Sequence, residues 1–163
     1  MARVAITGHR GLPERTATLV EEALRASVRA VGADLVGVTC LADGADTLFA
    51  RAVLDAGGRL EVVVPAARYR DALPDDHRPV FDALLAAAVR VVRLDHVQPT
   101  PQSYLDAGLR MLELSDELLA VWDGEPARGR GGTADIVEAA RARGLPVTVL
   151  WPPGAHRVPP ADG

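Results

Sequence analysis

The sequence predicts an α/β protein, a parallel sheet of about six strands covered by helices on both faces. Two observations carry the prediction. Short, largely apolar runs at 3–7, 35–39, 60–64, 91–94, 118–122 and 147–151 read as strands buried on both faces. Between them lie segments whose apolar residues recur at helical spacing.

Taken in order, the first strand leads to a helix over 13–31. Pro13 suits a first helical turn and Glu14 the positive end of the helix; Val20, Leu24, Val28 and Val31 form its apolar face, and Gly32 stops it. The second strand turns through 40–46 into a helix ending at Gly57 and Gly58, and Pro65 stops the third strand. Pro74 and Pro79 interrupt 66–79, which predicts loop with a short helix before an alanine-rich helix over 80–89. After a loop at 95–102, Ser103 and Asp106 read as a capping box for a helix with the stripe Leu105, Leu109 and Leu112. The last helix runs from Thr133 to Arg143, with Gly144 as its stop. Residues 1–151 read as a single domain. The tail, 152–163, has four prolines and little that could pack, so irregular or mobile chain is expected.

A chain of 163 residues suits one sizeable core, and 48% hydrophobic content excludes general disorder. No apolar run approaches the ~20 residues of a membrane helix. The N-terminus enters a strand pattern without a signal-peptide core, so a cytoplasmic protein with no membrane partner is expected. The single cysteine, Cys40, permits no intrachain disulfide and reads as a small buried residue. His77, His96 and His156 show no ligand spacing, and neither a metal nor a cofactor is expected. A net charge of −4 and an aromatic content of 4% argue against nucleic acid as a partner, because such surfaces want a basic face and stacking rings.

Chemistry-bearing residues gather in three turns, each after a strand. The most informative runs from Trp122, Asp123 and Gly124 through Gly129, Gly131 and Gly132 to Thr133 and Asp135. Strand, glycine loop and helix start together present free backbone N–H groups and a positive dipole end to an anion. The same residues read equally as a tight turn with Thr133 as N-cap. Thr7, Gly8, His9 and Arg10 place a hydroxyl, an imidazole and a phosphate-matching guanidinium at the first strand end. Their glycine spacing is not the dinucleotide pattern, so NAD is not indicated.

Asp43, Gly44 and Asp46 form an ordinary helix start or a contact to sugar hydroxyls. Asp123 is a site candidate at a strand exit, whereas Trp122 packs in the core or covers a base. Asp135 caps its helix or meets sugar hydroxyls, and Arg68, Arg70, Arg78 and Arg128 are loop cations within reach of an anion. Parallel sheets bind ligands at the carboxyl ends of their strands, where strand order reverses. With the first and fifth strands as neighbours, these turns would share one cleft.

At these residues the chain resembles the SLOG superfamily. The resemblance rests on Val4 to Arg10, on Ala42 to Asp46, and on Ser115 and Asp116 leading through Ala120 to Gly124 and on to Gly131 to Asp135. That group includes the DNA-processing protein DprA, the LOG-type phosphoribohydrolases and the molybdenum-cofactor carrier proteins. The resemblance implies a three-layer Rossmann-like domain with sheet order 4-3-2-1-5-6, commonly a homodimer, binding nucleotide-like small molecules at these strand ends. One position departs from it. LOG-type enzymes carry a catalytic glutamate three residues after the threonine of the glycine segment, and here that position is Ile136.

The leading expectation is a domain that binds or senses a nucleotide or a nucleotide derivative. Gly131, Gly132 and Thr133 would hold phosphate with help from Arg10, and Asp43, Asp46 and Asp123 would meet the sugar. The alternative is an enzyme acting on an N-glycosidic bond, with Asp123 or Asp46 as the carboxylate beside an oxocarbenium-like transition state. A third reading is a partner subunit regulated by ligand.

Overall fold

Among the residues described by the computed structural model, 1–129 and 131–158, helices and strands alternate from end to end. Arg130 of the glycine loop and tail residues 159–163 lie outside the described residues. The elements are β1 (Ala2–Gly8), α1 (Glu14–Val31), β2 (Leu35–Thr39), α2 (Ala45–Asp55), β3 (Arg59–Val64), a short 3-10 turn (Arg70–Ala72), α3 (Arg78–Ala86), β4 (Arg90–Arg93), α4 (Pro101–Glu113), β5 (Glu117–Val121), α5 (Thr133–Ala142) and β6 (Val147–Val149).

The six-stranded sheet has the order β4-β3-β2-β1-β5-β6 and every pairing is parallel, as expected. Strand order reverses between β1 and β2 on one side and β1 and β5 on the other. In register, Gly8 pairs with Val121, so the chain leaves β1 and β5 at the same level.

Two cores sandwich the sheet. On one face Val20, Leu24 and Val28 of α1 pack with Phe49 and Val53 of α2 over Val4, Ile6, Leu60 and Val62. On the other, Met111 and Leu112 of α4 meet Ile136, Val137 and Ala140 of α5 over Ala5, Val38 and Leu118. The alternation of β1 residues between the two cores is the period-2 rule at work. At the amino end of the strands, Arg3 Nη2 donates to the buried Glu61 at 2.6 Å, and Arg90 lies 3.6 Å from the same carboxylate. That end is closed by an ion-paired network; the carboxyl end is left for chemistry.

The differences from the sequence expectation lie at element ends. β5 stops at Val121 and β6 at Val149, so Trp122 and Trp151 both stand outside the sheet. α3 begins at Arg78 because Pro79 occupies its first turn rather than breaking it. α4 begins at Pro101, capped by a reciprocal box between Thr100 and Ser103. Asp106 instead accepts hydrogen bonds from Gln102 and pairs with His96 at 2.8 Å. α5 is capped at Gly132, and the Gly131 amide donates to the Asp135 carboxylate.

The described part of the tail, 152–158, contains neither helix nor strand, yet it is tied down. The buried Thr16 hydroxyl donates to the His156 carbonyl at 3.0 Å, and the His156 amide donates back to that hydroxyl at 2.9 Å. Trp151 meets the His9 ring edge-on at 5.5 Å. Among the described residues no helix is long and apolar enough to cross a membrane.

Candidate functional site

A cleft of about 290 Å³ opens at the carboxyl ends of β1, β2 and β5. Its existence follows from topology, because helices on opposite faces leave β1 and its two neighbours there. Eight expected residues line it. Thr7, Gly8, His9 and Arg10 come from the β1 exit, Asp46 from the start of α2, and Gly131, Gly132 and Thr133 from the start of α5.

Gly8 lets the two sides approach. A Cβ there would sit 2.4 Å from the Ala45 Cβ and 2.9 Å from the Val121 Cβ. The first turn of α2 therefore rests directly on the end of β1, with the Ala45 amide donating to the His9 carbonyl at 3.3 Å. Leu41 shapes the preceding loop with a left-handed φ of 59°. Its amide is bonded to the Thr39 hydroxyl, and its carbonyl accepts from His77 Nε2 at 2.9 Å. Those bonds hold the β2–α2 turn so that Cys40, Ala42 and Asp46 face the cleft.

Asp46 is the unusual group. It is buried, and its Oδ2 accepts from the Ala42 amide at 3.1 Å. Burial pushes its carboxyl up to about 7, against the pull of that amide and of Arg10. Near neutral pH it therefore exists in both protonation states. Burial also raises the Cys40 thiol well above its usual range, so it stays protonated.

His9 has the opposite setting. Burial and the Arg157 guanidinium bring its imidazole down to about 4, outweighing the pull of Asp123. Its Nε2 lies 3.1 Å from the Asp123 amide and 3.2 Å from the Asp123 carboxylate. Burial opposes ionisation of Asp123, but the Glu125 amide, His9 and Arg157 together hold its carboxyl below the usual value.

Six expected residues stand apart from the cleft lining. Asp43 and Gly44 border a neighbouring cleft with His77 and Arg51. The Asp43 carboxylate is spent on Arg10, whose Nε and Nη2 both approach Oδ1 at 2.8 Å, and on the Gly11 amide. Trp122 and Gly124 border a shallow groove beside α5, where Arg141 stacks over the indole at 5.9 Å. Asp123 lies behind His9, and Asp135 is turned back onto Gly131. Among the described residues, no trio of His, Cys, Asp or Glu could hold a metal ion.

Sequence reasoning overlooked Tyr69, Tyr104 and Arg157, which all line the cleft. The tyrosines were findable. The chain has only two, and both face one cavity, their rings 6.2 Å apart edge-to-face. Ile136 also lines the cleft, but from its floor. It is 2% exposed, and a Cβ on Gly108 of α4 would lie 2.2 Å from its Cδ1. A carboxylate at this position would be buried against Gly108 of α4.

No family model matches the sequence, and no curated protein does. Solved structures do match. DNA processing protein A from Streptococcus pneumoniae superposes with a TM-score of 0.69 at 22% identity, over 91% of this chain and 50% of that one. The Helicobacter pylori protein of the same name, described for its single-stranded DNA binding mode, gives 0.68 at 17% identity, over 96% and 68%. The chain shares their Rossmann-like α/β fold. A molybdenum-cofactor-binding protein from Rippkaea orientalis gives 0.58 at 13% identity, over 91% and 75%.

Proteins of this fold thus take different ligands on one framework, and this chain spans half the length of the pneumococcal protein. The expectation against nucleic acid as a partner is corrected by these neighbours, one of which binds single-stranded DNA. A net charge of −4 averages the whole chain, whereas Arg10, Arg128 and Arg157 concentrate cations along this one cleft.

Proposed function

We propose that the chain binds a nucleotide or nucleotide derivative in the β1/β2/β5 cleft. One observation carries the reading: the cleft is chemically two-ended. Arg128 and Arg157 lie together beside the 125–129 loop, whereas Tyr69, Tyr104, the buried Asp46 and the Asp43-paired Arg10 neighbour one another. The first set suits phosphate, with the α5 dipole adding to the guanidiniums. The second offers apolar and aromatic surface to a base.

A ligand panel in thermal unfolding tests the reading. Nucleoside monophosphates, diphosphates, cyclic nucleotides and ADP-ribose at 100 times their dissociation constant add ~2.7 kcal/mol, which raises the melting temperature by roughly 5–10 °C. At least one member is expected to do so. A flat panel at millimolar concentration would defeat the proposal.

A second reading is favoured by Asp46 specifically. Its carboxyl and that of Asp123 are pushed in opposite directions, the pattern that separates an acid from an ionised partner in glycoside chemistry. In this reading Asp46 would give its proton to the leaving base of an N-glycosidic bond. The check is release of free base from whichever nucleotide the panel selects. With Ile136 in the floor, Asp46 would take the part of the glutamate that LOG-type enzymes carry.

A further inference from the structure

The 152–158 strap brings a charge into the cleft that its own neighbourhood does not balance. Arg157 lines the cleft with its side chain only 18% exposed. Its nearest carboxylate among the described residues is Asp123, 3.9 Å away, and that group already accepts from the Glu125 amide and lies 3.2 Å from His9. Arg128 stands close enough to depress the Arg157 guanidinium further, after burial. Arg128 itself donates to the Val158 carbonyl at 2.8 Å, and none of the described carboxylates pairs with it. Arg157 thus shares its one carboxylate with His9 and the Glu125 amide, and Arg128 beside it pairs with none of the described carboxylates, which leaves guanidinium N–H donors in the cleft not spent on a carboxylate.

We propose that Arg157 and Arg128 form a clasp for a phosphate monoester or diphosphate, and that the strap is thereby part of the ligand site. The proposal deepens the nucleotide reading and rests on it for the cleft's occupant. Two planar forks present parallel donors to tetrahedral oxyanions, a match that single lysines do not provide. The mutual Thr16–His156 hydrogen bonds and the contact of Trp151 with His9 seat the strap at the cleft edge. Gly154, at φ 91°, makes the turn beside Leu19 that allows this. A bound phosphate would join the strap to the 125–129 loop and hold both in place.

The test is calorimetric titration of inorganic pyrophosphate into the full chain at fixed ionic strength, with uncharged nucleosides titrated in parallel. Arg157→Gln is expected to weaken pyrophosphate roughly tenfold or more, the loss of a hydrogen-bonding charged partner. Arg157→Lys keeps the charge without the fork and falls between. Thr16→Val, which leaves both arginines and cuts the strap's anchor, weakens pyrophosphate too. Nucleoside affinity stays unchanged in all three. Equal pyrophosphate affinity in wild type and Arg157→Gln overturns the clasp, as does a wild type that does not bind pyrophosphate. Arg157-dependent pyrophosphate binding with no nucleoside or nucleotide binding upholds the clasp and defeats the nucleotide reading instead.

Discussion

Asp46→Asn is expected to stabilise the folded protein, and to do so only as pH rises. The wild-type carboxyl ionises near 3.8 in the unfolded chain and at about 7 when buried. Below pH 3.8 it is protonated in both states and costs nothing. Between the two values the unfolded state loses its proton first, so stability falls with rising pH, and the full cost is reached above 7. At about 1.4 kcal/mol per tenfold change in ionisation, that cost is on the order of 4 kcal/mol. Asparagine keeps an oxygen for the Ala42 amide and removes the charge. The gain over wild type should be near zero at pH 4 and several kcal/mol at pH 8, read from urea unfolding at both. The His9 contribution runs the other way, present above 6.5 and lost toward 4 as the ring is forced to charge. Both variants share it, so it cancels in the difference. A gain that is the same at both pH values contradicts this description of Asp46. Should the protein cleave an N-glycosidic bond, the stabilised variant would release no base, the expected exchange of stability for activity.

Gly8→Ala carries the second large effect, this time destabilising. The added methyl would meet two Cβ atoms, Ala45 at 2.4 Å and Val121 at 2.9 Å, neither at the end of a flexible side chain. Relief would need α2 to move away from β1 and the end of β5 to shift as well. A cost of ~3 kcal/mol follows from overpacking of this kind, a fall of roughly 6–12 °C in melting temperature for a domain of this size. Ala45→Gly in the same chain should recover part of it, less the ~1 kcal/mol that glycine costs in a helix. Gly129→Ala, where an added Cβ meets nothing within 4 Å, is the control expected to sit near wild type. If Gly8→Ala melts with the control, the close approach of α2 is not real. The same substitution should weaken nucleotide binding, because α2 carries Asp46.

The parallel sheet was legible because apolar runs alternate with helical stripes along the chain, and its strand order was what the resemblance to the SLOG superfamily implied. The convergence of the three turns was legible because their residues follow strands that the order makes neighbours. Individual side chains were less so. Nothing local says that Asp43 spends its carboxylate on Arg10 and Gly11, leaving Asp46, three residues on, as the buried member of the pair. Their contrast arises from how α2 sits on β1, a tertiary fact. Arg157 was hidden for a related reason. A strap held by Thr16 and His156, 140 residues apart in sequence, has no periodic pattern to announce it. Tyr69 was obscured by the prolines around it, which mark loop and so distract from a residue that is 2% exposed.

The most direct measurement is a crystal structure with the nucleotide that gives the largest thermal shift. Phosphate is expected between Arg128, Arg157 and the start of α5, sugar toward Asp46, and base against Tyr104 and Met111. A nucleotide seated elsewhere, such as the neighbouring cleft bordered by Asp43 and His77, would contradict it.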